Sequence, residues 1–215
     1  MGKIIAIDGP SGSGKSTISK KIAERLGFTY LDTGALYRSV ALKLRNHSVP
    51  EDASDPLISD ILKDTELFFS KGNLFLDGQE VKDEIRTPDI GHYSSVFSAR
   101  KVVRDYLFDI QRNAARDNDL VAEGRDMTTV VFPDAYRKFF LTASDKERAN
   151  RRFMQLKEKG MEITMEEAIR DVRERDTRDS QRDIAPLRKA DDAILIDTDN
   201  LSIDETIEKI LEHVT

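Results

Sequence analysis

The residues with the most distinctive chemistry in this sequence are glycines, a lysine and hydroxyl side chains close to the N-terminus. Residues 9–17 read GPSGSGKST, which fits the pattern G-x-x-x-x-G-K-[ST] of a phosphate-binding P-loop and follows a short apolar run. Glycines at this spacing let backbone N–H groups turn toward a polyphosphate, and a helix that starts near Lys15 adds the positive end of its dipole. In a loop that faces solvent, we expect Lys15 to reach the β- and γ-phosphates and Ser16 to bind Mg²⁺. The predicted phosphate-binding residues are Gly9, Pro10, Ser11, Gly12, Ser13, Gly14, Lys15, Ser16 and Thr17.

A second group of candidates consists of arginines that directly follow predicted strands. Arg125 comes after the apolar run at residues 120–122, and Arg38 lies one helical turn past Thr33, beyond the second apolar run. Parallel strands present their ligand crevice at this edge of the sheet, where two guanidinium groups could grip a phosphate in bidentate fashion. A phosphate monoester as acceptor is already anionic near neutral pH. Such a site therefore needs no general base.

The segment of residues 144–188 is dense in arginine. On two predicted helices, arginines recur at helical spacing on one face: Arg148, Arg151 and Arg152, then Arg175, Arg178 and Arg182. A lid that carries them over ATP would exclude water and neutralise the transferring group. The alternative reading of the same pattern is a solvated, salt-bridged pair of helices.

The elements that must position these residues alternate between short strands and helices. Five unalternating apolar runs predict strands buried on both faces, at residues 4–7, 28–31, 120–122, 139–141 and 193–196. Helices are expected from Lys15 to Leu26, before Gly27, and over residues 36–44 and about 99–114. Three more helices open with capping boxes: Ser144 with Glu147, Thr164 with Glu167, and Ser202 with Glu205. This alternation predicts an α/β fold with a parallel sheet covered on both faces.

One region interrupts the alternation. Residues 65–81 read as short antiparallel strands with a turn at Asp77-Gly78, and Thr87-Pro88 reads as the start of a helix. We therefore interpret residues 50–98 as mostly an insertion beside the core.

Composition narrows the possible functions. A chain of 215 residues suits one α/β domain with inserts, and its net charge of −6 argues against a nucleic-acid-binding surface. We expect no membrane partner because no apolar run approaches the roughly 20 residues of a membrane span, and no secretory leader is seen. The absence of cysteine excludes disulfides and thiolate metal sites and suits a cytoplasmic location. No N-K-x-D or G-x-S-x-G motif occurs, and three histidines in polar contexts are expected at the surface: His47, His92 and His213.

The motifs together resemble those of the bacterial cytidylate kinase family, within the nucleoside monophosphate kinases. The resemblance spans essentially the whole chain, through residues 5–16 (IAIDGPSGSGKS), 31–38 (LDTGALYR), 85–87 (IRT), 124–127 (GRDM), 129–134 (TVVFPD), 174–176 (ERD) and 178–179 (RD). It implies a P-loop NTPase core with a five-stranded parallel sheet flanked by helices, a nucleoside-monophosphate-binding insertion and a helical lid. The expected regions are a core at about 1–34, 105–143 and 189–215, a monophosphate-binding region at 35–104 and a lid at 144–188.

The resemblance also implies roles for individual residues. Residues expected to contact CMP are Thr33, Arg38, Ser95, Arg104, Arg125, Asp126, Arg175 and Asp179, with Ser95, Arg104 and Asp126 around the base. Residues expected to act in catalysis are Lys15, Arg125, Arg151, Arg175 and Arg182, with Ser16 as the metal ligand. One departure is Thr128, where the family usually carries glycine, and it adds bulk close to the acceptor site.

The predicted reaction is transfer of the γ-phosphoryl group from ATP to CMP or dCMP, with Mg²⁺, by a cytoplasmic monomer. Two alternatives stay open at this point. One is another P-loop kinase that acts on UMP, AMP or shikimate, and the other is a P-loop module that binds ATP without transferring its phosphoryl group.

Overall fold

The computed structural model describes residues 2–70, 72–116, 118–158 and 160–214. Its centre is a parallel sheet of five strands, β1 (Ile4–Asp8), β2 (Thr29–Asp32), β6 (Leu120–Gly124), β7 (Arg137–Thr142) and β8 (Ile194–Asp197). The strand order is β2-β6-β1-β7-β8, and every neighbouring pair is parallel. Each predicted strand is confirmed with boundaries shifted by one or two residues. The strand that leads into the P-loop is therefore central.

Helices cover both faces of this sheet. In chain order they are α1 (Lys15–Leu26), α2 (Thr33–Asn46), α3 (Asp55–Lys63), α4 (Pro88–Phe97), α5 (Lys101–Asn113), α6 (Asp145–Glu158), α7 (Met165–Gln181) and α8 (Ile203–Leu211). Alternate residues of β1 enter different cores. Ile5 and Ile7 pack with α1 and α8, whereas Ile4 and Ala6 pack on the side of α2 and α5. Among the described residues, no helix combines the length and apolar character that a bilayer crossing requires.

A smaller antiparallel sheet lies beside the core. It contains β3 (Leu67–Ser70), β4 (Asn73–Leu76) and β5 (Gln79–Glu80), in that order. The predicted turn is confirmed, because Asp77 and Gly78 both have positive φ, at 50° and 78°. Thr87 caps α4 through a bond from the Ile90 amide. The insertion thus has its own strands and presents α4 toward the main sheet.

Two of the three predicted capping boxes form completely, at Thr164 with Glu167 and at Ser202 with Glu205. The third prediction, at Ser144, is half wrong. Its hydroxyl accepts from the Glu147 amide, but its own amide donates to Asp199 Oδ1 at 2.6 Å. The Glu147 carboxylate instead pairs with Arg151, since a guanidinium one turn away offers a charged partner.

Candidate active site

The P-loop follows β1 at the carboxyl edge of the sheet. Gly9 lies so close to β7 that a Cβ there would be 2.0 Å from the Leu141 carbonyl oxygen. Gly14, directly before α1, has a left-handed backbone with φ 87°. The backbone therefore accepts only glycine at these two motif positions without strain, and it directs the N-terminus of α1 into the cleft.

Lys15 is buried, which corrects the expectation of a solvent-facing side chain. Its Nζ donates to the Pro10 carbonyl oxygen at 2.7 Å and to Ser13 Oγ at 3.3 Å, and only 5% of the residue is exposed. Burial lowers the pKa of Lys15 to about 7, and the positive charge of Arg125 adds to this effect. The P-loop folds around its own lysine, so an anionic ligand would supply the charge that the site lacks.

Glu123, a residue with no role assigned by sequence reasoning, completes this end of the cleft. It is buried at the end of β6, where its carboxylate accepts from the Tyr30 hydroxyl at 2.8 Å, and the Ser16 side chain is close enough to affect its pKa. Burial raises the pKa of Glu123, and the negative charge of Asp32 adds to the shift. The sequence feature that could have identified Glu123 is an acidic residue near the end of the predicted strand that precedes Arg125, and this strand pairs with the P-loop strand.

The residues predicted to hold the acceptor phosphate surround the ends of β2 and β6. The Thr33 hydroxyl donates to the Glu123 carbonyl oxygen at 2.7 Å, which leaves its oxygen lone pairs available. Arg38 pairs with Asp32 at 3.2 Å, while Arg125 donates from Nε to Asp179 at 2.7 Å. All six of these residues line the same cleft.

A buried charge cluster lies next to this phosphate region. Arg104 on α5 and Asp126 after β6 form an ion pair, and Arg182 Nη2 is 3.7 Å from the other Asp126 oxygen. Burial raises the pKa of Asp126, while the two arginines oppose that shift. Asp126, Arg182 and Ser95 line the cleft, whereas Arg104 lies behind Asp126 and donates to the Ser98 carbonyl oxygen. Arg182, expected on the lid side, thus sits beside Asp126.

The lid arginines divide into those inside the cleft and those outside it. Arg151 lines the cleft and donates to Thr198 Oγ1 at 3.0 Å, and Arg175 lines it as well. Arg148 is buried outside the cleft and donates to the P-loop carbonyl oxygen of Ser11 at 3.1 Å. Arg178 faces an adjoining cavity of about 320 Å³, which Arg175 also lines, and there it contacts His92 at 3.4 Å. Helical spacing therefore predicted which helix faces carry these arginines, but it did not predict which of the arginines line the cleft.

The main cleft has a volume of about 690 Å³ and runs from the P-loop to the Asp126 cluster. Several polar atoms along it are buried without a hydrogen-bond partner among the described residues: Arg38 Nε, Ser95 Oγ, Arg175 Nε and Arg182 Nη2. Buried polar groups are normally paired, so these atoms are candidates for contacts with a polar ligand. The three histidines are exposed, as predicted.

A five-stranded parallel sheet, a P-loop at its carboxyl edge and an arginine-lined cleft define a kinase of the P-loop class. A sequence profile described as "Cytidylate kinase" matches residues 5–215. The chain belongs to the cytidylate kinase family.

Curated relatives support this assignment along the full chain. The cytidylate kinase of Thermosipho melanesiensis is 54% identical over 210 residues, covering 98% of this chain and 95% of the relative. That of Thermodesulfovibrio yellowstonii is 51% identical over 218 residues, covering 100% and 98%. Among solved structures, an uncharacterized protein from Eubacterium ventriosum matches with a TM-score of 0.52 and 16% identity, covering 99% of this chain and 98% of that one. This last likeness concerns the fold alone.

Proposed function

We propose that this protein transfers the γ-phosphoryl group of ATP to CMP or dCMP. The observation that carries the proposal is a set of polar atoms on Ser95, Arg175 and Arg182, which line the cleft outside the P-loop and have no hydrogen-bond partner among the described residues. Their positions suit a small anionic nucleotide whose phosphate points at the P-loop. The names and identities of the curated relatives favour CMP over the other acceptors considered.

The donor end would bind ATP through the P-loop amides and Lys15. A phosphate next to the buried Nζ restores its charge and lets it neutralise the transferring group. Mg²⁺ fits the oxygen donors present here, with Ser16 as the direct ligand and the Glu123 carboxylate beside it. No cluster of three or more acidic, histidine or cysteine side chains forms a metal cage within the described ranges, so the phosphates would provide the remaining ligands. When bound, Mg²⁺ supplies charge neutralisation of the phosphates.

The acceptor end would bind CMP in two parts. Thr33, Arg38 and Arg125 would hold the phosphate, and Arg175 and Asp179 would reach the ribose and phosphate. Asp126 would accept from the cytosine amino group, supported from behind by Arg104. Because the acceptor oxygen is already an anion, catalysis needs positioning and charge neutralisation more than a base.

The lid would supply Arg151, Arg175 and Arg182 when both substrates are bound. The division into a core, a monophosphate-binding region at residues 35–104 and a lid at residues 144–188 is part of this proposal. Monomeric state and cytoplasmic location stay predictions.

A coupled ADP-release assay with CMP, dCMP, UMP, AMP, dTMP and shikimate tests the proposal. We expect turnover with CMP and dCMP to exceed turnover with each other acceptor by at least about tenfold. Lys15→Met measures the background ATP hydrolysis. Faster ADP release with shikimate or AMP than with CMP would refute the substrate assignment. ADP release at the same rate with and without every acceptor would refute the transfer reaction.

A further inference from the structure

Asp8 holds the backbone that follows Arg125 and Asp126. It is the last residue of β1, is completely buried and accepts three hydrogen bonds from the segment after β6. Its Oδ1 accepts from the Met127 amide at 2.9 Å. Its Oδ2 accepts from the Thr128 amide at 2.7 Å and from Thr128 Oγ1 at 2.6 Å.

These bonds join the two halves of the active site. Asp8 directly precedes Gly9, the first residue of the P-loop, and Met127 directly follows Asp126. Neither Asp8 nor Thr128 lines the cleft. Any effect on the reaction must therefore pass through the residues beside them, because neither side chain can touch a bound nucleotide.

The hydroxyl bond to Asp8 depends on having threonine at position 128. A glycine at position 128, as the family resemblance leads one to expect, would donate only its amide. Thr128 is 1% exposed, so no water can replace its hydroxyl freely. The side chain that departs from the family pattern thus fits into the fold as a third donor to a buried carboxylate.

We propose that Thr128 and Asp8 form a buried clamp that fixes Arg125 and Asp126 relative to the P-loop, with Thr128 as a positioning residue for CMP. This inference rests on the proposed function. The clamp acts by orienting the two acceptor-binding side chains before CMP arrives.

The clamp is sensitive to protonation of Asp8. Burial raises the pKa of Asp8 to about 6, the negative charge of Asp126 adds to the shift, and the Thr128 bonds oppose it. Lys15 also interacts with Asp8, and its ammonium favours the carboxylate. A protonated Asp8 loses acceptor capacity, so the clamp should weaken below about pH 6.

Thr128→Val tests the clamp because it removes the hydroxyl while keeping the side-chain shape. We expect KM for CMP to rise about fivefold to tenfold, with a smaller change in KM for ATP. Losing the hydroxyl bond should also raise the pKa of Asp8 by about half a unit to one unit. The acid limb of the pH profile of kcat should move to higher pH by the same amount. The CMP phosphate itself titrates near pH 6, so the comparison is made between variants.

Two further variants serve as controls. Thr128→Ser keeps the hydroxyl and should restore both KM and the acid limb. Thr129→Val removes the neighbouring hydroxyl, which is buried and has no hydrogen-bond partner in the described part of the chain, and it should behave like the wild type. A ¹³C NMR titration of the Asp8 carboxyl group, without substrate, reads the same bond independently of activity.

The outcomes separate this inference from the proposed function. Failure of the wild type to phosphorylate CMP would refute the function, and the NMR titration would still decide whether the hydroxyl bond sets the pKa of Asp8. Equal Asp8 pKa values in wild type and Thr128→Val would overturn the clamp. So would an unchanged KM for CMP. If Thr128→Val does not fold, Thr128→Gly replaces it with the same expected shifts.

Discussion

Replacing Asp126 by asparagine tests how the cleft chooses its base. Asp126 is 2% exposed and forms an ion pair with Arg104, while Arg182 Nη2 lies 3.7 Å from its second oxygen, beyond hydrogen-bond distance. That second oxygen is thus available to accept from the amino group of cytosine. Uracil would present a carbonyl oxygen at the same place, and two acceptors cannot pair.

The expected magnitude follows from this mismatch. An unpaired buried polar group costs about 1 to 3 kcal/mol, so the wild type should prefer CMP over UMP by roughly tenfold to a hundredfold in kcat/KM. An asparagine amide can rotate to donate or to accept. Asp126→Asn should therefore narrow the preference to within a few fold, while breaking the buried ion pair lowers kcat/KM for both nucleotides.

The assay is ADP release with CMP and with UMP, accompanied by thermal unfolding to confirm that the variant is folded. Asp179→Asn is the matched control, because it also removes a buried carboxylate paired with an arginine, at the part of the cleft that we propose holds the ribose. It should lower both activities and leave their ratio unchanged. If Asp126→Asn also left the ratio unchanged, Asp126 would only hold Arg104 and Arg182 in place.

Three other outcomes are expected. Lys15→Met should lower kcat at least about a hundredfold without lowering the unfolding temperature, and wild-type kcat would exclude the P-loop assignment. The pKa of Lys15 falls from 10.5 when unfolded to about 7 when folded, so its buried charge costs stability below pH 7 and this cost disappears toward pH 10.5. Lys15→Met should accordingly raise the unfolding temperature more at pH 6 than at pH 10. An equal rise at both pH values would contradict the lowered pKa of Lys15. Hydrogen exchange in α6 and α7 should slow with ATP and CMP, because few apolar side chains there are buried. Identical exchange with and without nucleotides would rule out a lid.

The local sequence was enough to predict the elements around the P-loop. The five strands, the helix from Lys15 to Leu26 and the turn at Asp77 follow from apolar runs, cap residues and turn dipeptides, all set within a few neighbouring residues. The arrangement of Arg38 and Arg125 on one cleft was predictable too, since parallel strands end at a common edge.

Only the packed structure revealed the environments of the charged side chains. Ser144 lost half of its capping box to Asp199, which is 55 positions away in the sequence. Arg175 and Arg178 share a helix face, but Arg175 lines both the main cleft and the smaller cavity, whereas Arg178 lines only the smaller cavity. The position of a residue in the helical repeat decides which face of the helix its side chain lies on. Its partners depend on which other elements pack against that face. The pairing of Arg104 with Asp126 and the bond from Thr128 to Asp8 arise from contacts between distant segments, and no local pattern contains them.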